Sequence, residues 1–217
     1  MKTVAFVPAK GSSERIPSKN LRLLYGKPLV LYTVEKLLRC REVDEVVLDS
    51  DSDDVLDLAA HLPCRRMKRE AAMASNRTDG HELFMNQVEA TDADLVVQVL
   101  CTSPFLRSET VDLAVRTLKD DPQYDSAMLM CSQKLYQWKD GQPLYGTGRI
   151  PNSVDLDPTV FESMGMYVVR RATALQHRRR FGLNPFMVFA TPMEAVDVNN
   201  PDDLELAALI ASGLRER

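Results

Sequence analysis

The sequence predicts an α/β protein with a doubly wound, largely parallel sheet and a small inserted hairpin lobe. Three short apolar runs, at residues 4–7, 45–48 and 93–100, have the length and composition of buried strands. A polar turn follows the first two runs and a loop follows the third, and each leads into a segment of helical character. Strands that alternate with helices at this spacing are typical of βαβ units, in which the strands run parallel.

Further elements follow from periodicity and from capping residues. Residues 28–39 have the apolar spacing of a helix, with a proline suited to its first turn. An acidic turn at 48–54 leads into a second helix, and Ser108 offers a capping group for a third. Strands are also predicted at 124–132, 165–171 and 193–199, and a last helix at 200–214.

Residues 132–163 interrupt this alternation. The segment is rich in glycine, proline and polar residues and contains Trp138, the single tryptophan of the chain. Its aromatic residues and alternating pattern predict a hairpin lobe that projects from the sheet. We therefore expect residues 1–217 to form one domain with 132–163 as an inserted lobe.

Composition limits the function. Acidic residues outnumber basic ones, 31 to 27, which argues against nucleic acids and anionic membranes as partners. No run reaches the roughly 18–20 apolar residues that span a bilayer, and the N-terminal apolar run is too short for a secretory signal. The four cysteines and three histidines are scattered and form no zinc motif or disulfide pattern. A reduced, cytoplasmic protein is expected.

Positive charge is concentrated between residues 8 and 27, directly after the first predicted strand. This stretch holds one acid, Glu14, and five bases: Lys10, Arg15, Lys19, Arg22 and Lys27. Gly11, Ser12 and Ser13 are small enough for backbone N–H groups to approach phosphate oxygens, whose charge the bases offset. Neither GxxxxGK[ST] nor GxGxxG is present. The bases are either solvated surface charges or, as we expect for such a cluster at the carboxyl edge of the sheet, an anion site.

The same stretch resembles a known family signature. VPAKGSSERIPSKNLRLLYGKPLV, residues 7–30, is similar to the N-terminal pattern PARGGSKRIPxKNxxxxxGKPL of CMP-sialic acid synthetases (acylneuraminate cytidylyltransferases) and the related CMP-Kdo synthetases. The resemblance implies a Rossmann-like, GT-A-like nucleotidyltransferase fold. The matching positions are Pro8, Ala9, Gly11, Ser13, Arg15, Ile16, Pro17, Lys19, Asn20, Gly26, Lys27, Pro28 and Leu29.

The resemblance implies a CTP site made by two segments. In the turn, Lys10, Ser13, Arg15 and Lys19 would hold the phosphates, and Asn20 would contact the nucleoside. Ala9, Gly11 and Ser12 would complete the nucleotide contacts. Lys10 replaces the arginine of the family pattern, which keeps the charge and loses the bidentate fork. Residues 69–76 resemble RPxELASD, so Arg69, Ala74 and Ser75 would contact cytosine and ribose, with Asn76 replacing the aspartate.

The implied reaction is cytidylyl transfer, in which an acceptor oxygen attacks the α-phosphorus of CTP and pyrophosphate leaves. Such catalysis depends on positioning and charge neutralisation. Lys10, Arg15, Lys19 and Asp197 are the expected catalytic residues. Residues 195–207 resemble IDIDTPEDLELA, whose carboxylates hold Mg²⁺, so Asp197 is the expected metal ligand, with Asn199 in the second position. Alternatively, Asp197 caps the following helix.

The segments that would bind the acceptor differ from the family pattern. Residues 100–108 resemble QPTSPLRS, which borders the acceptor sugar, so Thr102 and Ser103 are expected there. Leu100 replaces the family glutamine, and Gln98 would point the same way two residues earlier. The arginines of the family's RRQDL segment have no counterparts at 152–156, which leaves Lys134 and Arg149 as candidate partners of an acceptor carboxylate.

Three hypotheses follow. The first is a Mg²⁺-dependent transfer of CMP to a small acidic acceptor, a sialic-acid-type or other 2-keto-3-deoxy sugar acid. The second is a CMP-phosphonate synthase, favoured by Leu100 and the missing arginines. The third is a non-catalytic nucleotide-binding protein, favoured by Asn76 and Asn199. By resemblance, the lobe at 132–163 would form a homodimer.

Overall fold

The structure is a computed structural model that describes residues 1–75 and 77–215. Asn76, one of the departures from the family pattern, lies outside the described residues. The strands are β1 Thr3–Pro8, β2 Leu23–Leu24, β3 Lys27–Pro28, β4 Glu45–Ser50, β5 Arg65–Lys68, β6 Leu95–Val99, β7 Ser126–Lys134, β8 Trp138–Lys139, β9 Gln142–Pro143, β10 Pro158–Arg170 and β11 Pro185–Phe189. The α-helices are α1 Leu29–Leu37, α2 Asp53–Leu58, α3 Gly80–Glu89, α4 Ser108–Asp120, α5 Arg171–His177 and α6 Pro201–Arg215.

Seven strands form one sheet in the order β11-β7-β10-β6-β1-β4-β5. β1 runs parallel to β4 and β6, β4 to β5, and β7 to β11, whereas β10 is antiparallel to both β6 and β7. The predicted doubly wound, largely parallel sheet is confirmed. The chain leaves β1 toward β4 and later returns to β6 on the other side, so the strand order reverses between β1 and β6. Ligands bind at such a switch point in this class of sheet.

Helices cover both faces of the sheet because side chains alternate along its strands. Ala5 and Val7 of β1 face one buried cluster, to which α1, α2 and α4 contribute. Val4 and Phe6 face the other, to which α3 and α5 contribute. All four side chains are fully buried. Within residues 1–75 and 77–215, no helix has the length and apolar character needed to cross a membrane.

The segment predicted as a strand at 193–199 is irregular, so that prediction is wrong. Its apolar alternation packs Val196 and Val198 into a third cluster with Ile16, Leu24 and Phe105. Beside them Glu194, only 2% exposed, accepts hydrogen bonds from the side chain of Thr110 and the backbone of Arg107. The alternation therefore reflects packing against the basic turn and α4.

Other elements differ from the prediction in extent. β5, α3, α5 and β11 are additional to the predicted elements. β10 begins at Pro158, inside the segment predicted as lobe, and pairs with β7 through Lys134. Between these strands the chain forms the β8–β9 hairpin, with Trp138 exposed. The lobe is thus an extension of the β7–β10 pair.

Lys36 of α1 is a buried cation beneath the loop that follows β6. The residue is 4% exposed, and its Nζ donates a hydrogen bond to the carbonyl oxygen of Ser103 at 3.2 Å. Burial lowers the pKa of Lys36 to about 7. The unfolded chain therefore binds one proton more than the folded protein between pH 7 and the ordinary lysine pKa.

Lys36→Met should stabilise the protein at pH 7 and should lose that advantage as the pH rises toward 10. The Lys36 contribution to wild-type stability rises with pH over this interval by at most about 1.4 kcal/mol per unit, because the unfolded state alone holds the proton. Denaturant unfolding of both proteins at pH 7, 8 and 9 measures the difference. A difference in unfolding free energy between the two proteins that stays constant with pH would show that Lys36 does not titrate in this range.

Candidate active site

Two adjoining cavities lie at the carboxyl ends of β1 and β6, where the strand order reverses. We call the first, of about 320 Å³, the turn cavity, because Lys10, Arg15, Lys19 and Asn20 of the basic turn line it. We call the second, of about 340 Å³, the α3 cavity, because it is lined by the start of α3. Pro8, Lys10 and Leu100 border both. The basic turn therefore faces a continuous cleft at the switch point.

The five bases of the turn separate into two groups. Lys10, Arg15 and Lys19 line the turn cavity, together with Ser12 and Ser13. The other two line neither cavity. Arg22 Nε donates to the carbonyl oxygen of Pro17, and Lys27 forms an ion pair of 2.5 Å with Glu35. Three bases of the cluster thus face the space that an anion would occupy.

Buried hydrogen bonds hold the turn in place. Asn20, 5% exposed, donates from Nδ2 to the carbonyl oxygen of Lys10 at 2.8 Å. Its Oδ1 accepts a hydrogen bond from Cys101 Sγ at 3.0 Å. Burial raises the pKa of the Cys101 thiol to about 11, so the thiol stays protonated and donates. Asn20 and Cys101 therefore shape the wall of the turn cavity.

Gly11 makes the closest approach in the turn. Its N–H donates to Asp51 Oδ1 at 2.9 Å, and a Cβ added there would lie 2.5 Å from Ser52 Cβ. Ser52, rather than Asp51, occupies the N-cap position of α2. The acidic turn thus serves as an anchor for the basic turn.

The C-terminal segment brings Asp197 next to the basic turn. Lys19 Nζ donates to the carbonyl oxygen of Val198 at 2.9 Å, and Arg15 donates to Asn199 Oδ1 at 2.9 Å. Burial lowers the pKa of Lys19, while the nearby Asp197 carboxylate opposes this shift. Asp197 and the basic turn therefore lie against each other.

Asp197 does not cap α6. Asp203 accepts the N–H groups of Asn199 and Asn200, and Asn200 Oδ1 accepts the N–H of Asp203. Asp197 Oδ2 accepts a hydrogen bond from Asn199 Nδ2, while its buried Oδ1 has no partner among the described residues. A buried carboxylate oxygen without a hydrogen-bond partner fits a hard cation.

The donor set fits Mg²⁺ held mainly by a substrate. Across residues 1–75 and 77–215, no group of three or more His, Cys, Asp or Glu side chains could hold a metal ion. Mg²⁺ in phosphate-binding enzymes commonly takes one or two protein oxygens and completes its shell with phosphates and water. Asp197 could supply one oxygen. The amide oxygen of Asn199 already accepts from Arg15.

The α3 cavity contains the second predicted nucleotide segment, with Arg69, Ala74 and Ser75 in its wall. Arg69, 5% exposed, donates from Nη1 to Asp49 Oδ2 at 3.3 Å. Burial raises the pKa of Asp49, and the Arg69 charge opposes that rise. Arg69 thus ties the cavity wall to β4.

Among the residues predicted to contact an acceptor, Leu100 lines both cavities and Thr102 lines the turn cavity. Gln98 is fully buried on the face of β6 toward α3, where its Nε2 donates to Gln87 Oε1 at 2.7 Å. The prediction that Gln98 faces the acceptor is therefore wrong, because its strand position turns it beneath the cleft. Ser103 is also buried outside both cavities.

Lys134 and Arg149 are exposed in the lobe and line neither cavity. Lys134 Nζ donates instead to the carbonyl oxygen of Val154. Sequence reasoning missed Arg180, which lies in the wall of the α3 cavity. The run of three arginines at 178–180 was the available signal, but the run does not show which of them turns inward.

Comparisons with known proteins identify the family. Residues 4–153 match the sequence model of the cytidylyltransferase family. A 3-deoxy-manno-octulosonate cytidylyltransferase from Chloroherpeton thalassium is 28% identical over 79% of this chain and 75% of its own. A CMP-N,N'-diacetyllegionaminic acid synthase from Legionella pneumophila is 35% identical over 55% of this chain and 54% of its own. A pseudaminic acid cytidylyltransferase from Campylobacter jejuni is 42% identical over 52% of each chain.

Solved structures share the fold. A CMP:2-keto-3-deoxy-manno-octonic acid synthetase in complex with CTP superposes with a TM-score of 0.73 at 20% identity, over 98% of this chain and 100% of the other. A 4-diphosphocytidyl-2C-methyl-D-erythritol synthase from Anaerococcus prevotii gives 0.67 at 14% identity, over 97% and 96%. The matches to the legionaminic and pseudaminic acid enzymes span about half of those proteins. With the family model covering more than half of its residues, the chain belongs to the cytidylyltransferase family of nucleotidyltransferases.

Proposed function

We propose that the protein transfers CMP from CTP to a small sugar acid and releases pyrophosphate. The observation that carries this proposal is the placement of Lys10, Arg15 and Lys19 in one cavity at the switch point, with the Asp197 carboxylate close enough to act on the Lys19 charge. Three relatives named for acidic sugars support an acceptor of that class. A 2-keto-3-deoxy or sialic-acid-type acid is the specific acceptor that we propose.

The chain's residues suit in-line displacement at the α-phosphorus. The acceptor oxygen forms a new bond to phosphorus while the bond to pyrophosphate breaks, and no enzyme–CMP ester is needed. Lys10, Arg15 and Lys19 offset charge on the triphosphate, and the small residues of the turn give phosphate oxygens access to the backbone. Cys101, the one thiol in the turn cavity among the described residues, stays protonated and serves no nucleophilic role.

The remaining nucleotide contacts follow from the two cavities. We place the triphosphate in the turn cavity and the cytidine at the end of the α3 cavity near Arg69, Ala74 and Ser75. Asp197 is the proposed protein ligand of Mg²⁺, and Asn199 could add the lone pair of its amide oxygen that Arg15 does not use. The ion would neutralise phosphate charge and align the α-phosphorus. Lys19 and Arg15 fix the position of this segment through Val198 and Asn199.

The homodimer stays a prediction. Leu135, Tyr136, Trp138 and Leu144 give the lobe four exposed apolar side chains that a second copy could cover. A monomer mass that stays constant with concentration in analytical ultracentrifugation would contradict it.

Purified protein should release pyrophosphate from CTP and Mg²⁺ when given a suitable sugar acid. The panel is 3-deoxy-manno-octulosonate, N-acetylneuraminic, pseudaminic and legionaminic acids, with 2-aminoethylphosphonate as the test of the phosphonate alternative. We expect turnover with at least one sugar acid. Turnover with the phosphonate alone would overturn the acceptor assignment, and CTP binding without any turnover would favour a non-catalytic protein.

Lys10→Met should weaken CTP binding about 10-fold, because it removes a charge-assisted phosphate contact from the cleft. Isothermal titration calorimetry measures the Kd, and added salt should reduce the difference. Lys27→Met is the matched control, since Lys27 belongs to the same basic stretch but pairs with Glu35 outside both cavities. An equal loss in both variants would show that the overall charge of the stretch, rather than its geometry, governs binding.

Asp197→Asn should lower kcat roughly 100-fold and raise the Mg²⁺ concentration needed for half-maximal rate, because an amide removes the charge that holds the cation. Metal titrations of the pyrophosphate assay provide both values. Asp202→Asn, an exposed acid in the first turn of α6, should leave them unchanged. An unaltered Mg²⁺ dependence in Asp197→Asn would remove Asp197 from the metal site.

A further inference from the structure

A third cavity, of about 290 Å³, lies behind the α3 cavity and is lined by Glu162, Tyr167, Arg180 and Phe181 among others. We call it the β10 cavity, after the strand that carries Glu162 and Tyr167. Arg180 lies in the walls of both the α3 cavity and the β10 cavity. Its guanidinium therefore lies where the nucleotide cleft continues toward β10.

Arg180 is buried and held from three sides. The residue is 6% exposed, and its backbone N–H donates to His81 Nδ1 at 3.2 Å. Its Nε donates to the carbonyl oxygen of Gly80 at 2.8 Å, and its Cζ lies 4.9 Å from the ring centroid of Tyr167. These contacts orient the guanidinium before any ligand arrives.

Gly80 makes room for this side chain. A Cβ added to Gly80 would lie 2.3 Å from Arg180 Nη2 and 2.4 Å from Cζ. Glycine at the first position of α3 thus permits the guanidinium to rest against the helix backbone. The chain keeps space for the arginine at a position where alanine would favour the helix.

The buried guanidinium has no carboxylate partner. Within residues 1–75 and 77–215, no acid forms an ion pair with Arg180. The nearby acids are engaged elsewhere, since Asp79 accepts backbone N–H groups of α3 and Glu162 accepts the hydroxyl of Tyr167. Asp79 interacts electrostatically with Arg180 without forming an ion pair, so the buried charge is only partly balanced, and an anionic ligand would stabilise it.

We propose that Arg180 binds the carboxylate of the acceptor acid and so makes the enzyme specific for acids. This inference rests on the proposed function. The planar fork of a guanidinium matches a carboxylate in a bidentate contact. Arg180 takes the role expected of Lys134 or Arg149, which lie outside the cleft.

The lining of the α3 cavity fits this assignment, because Arg180 and Lys10 are in its wall and the cytidine is proposed for the end near Arg69. Lys10 and Arg180 line the same cavity of about 340 Å³, so one small molecule can reach both. In the ring form of a 2-keto sugar acid, the anomeric hydroxyl and the carboxylate share one carbon. A carboxylate on Arg180 would therefore keep that hydroxyl inside the α3 cavity, whose wall also contains Lys10.

Arg180→Met should raise the acceptor KM about 10- to 100-fold, because a charge-assisted bidentate contact is lost. Its Kd for CTP should stay within about twofold of wild type. Arg180→Lys should recover part of the loss, since it keeps the charge without the fork. Gly80→Ala keeps the arginine but displaces the guanidinium, so it should also raise the acceptor KM. The acceptor is whichever sugar acid of the panel turns over.

The carboxamide of the same acceptor gives a second readout. Wild type should prefer the acid over the amide, and Arg180→Met should lose that preference. Arg178→Asn is the matched control, because Arg178 is exposed, pairs with Glu89 and has the left-handed backbone that asparagine tolerates. It should keep the wild-type KM and preference.

An unchanged acceptor KM and acid preference in folded Arg180→Met would overturn the inference. So would a weaker Kd for CTP with an unchanged acceptor KM, which would assign Arg180 to the nucleotide. Thermal melting checks the fold, and where Arg180→Met unfolds, Arg180→Lys and Gly80→Ala decide by the same criteria. Absence of turnover with any acid in wild type would instead refute the proposed function.

Discussion

The cleft depends on the buried backbone of Val198. Its N–H donates to the carbonyl oxygen of Thr102 at 2.8 Å, and its carbonyl oxygen accepts from Lys19 Nζ. Three segments distant in sequence therefore meet at one fully buried residue: the basic turn, the loop after β6 and the C-terminal segment. Breaking either bond would leave a buried polar group unpaired, at a cost of about 1–3 kcal/mol. The position of Asp197 relative to the bases of the turn follows from this junction.

The charges around the cleft divide into those that the protein pairs and those that it leaves for ligands. Arg69 is balanced by Asp49, and Lys27 by Glu35, so both serve the framework. Arg180, by contrast, is buried without an ion pair among the described residues, and Asp197 keeps an orphaned oxygen. A bound anion would stabilise Arg180, and a bound cation would stabilise Asp197. Because these charges are already in position, the site is preorganised for its substrates.

Local signals in the sequence were enough to predict the strands beside the switch point and the basic turn, because both depend on neighbouring residues. The directions in which side chains point were harder to predict. Gln98 turns toward α3, a helix that periodicity had not revealed, and Val196 and Val198 alternate like a strand but pack against Ile16 and Leu24. The inward position of Arg180 depends on Gly80, 100 residues earlier. Contacts between residues so far apart in the sequence produce no local pattern from which they could be predicted.

The two halves of the cleft face different constraints. The proposed triphosphate site needs several donors at fixed spacing, and the Gly11–Asp51 and Asn20–Cys101 contacts hold the turn that would supply them. Changing one of these residues disturbs the others, so the resemblance to the family pattern is strong there. A carboxylate needs one guanidinium at the right distance from the α-phosphorus, and different chain positions can provide it. The absence of the family's arginines at 152–156 is therefore compatible with an acid acceptor, provided that the guanidinium of Arg180 binds its carboxylate.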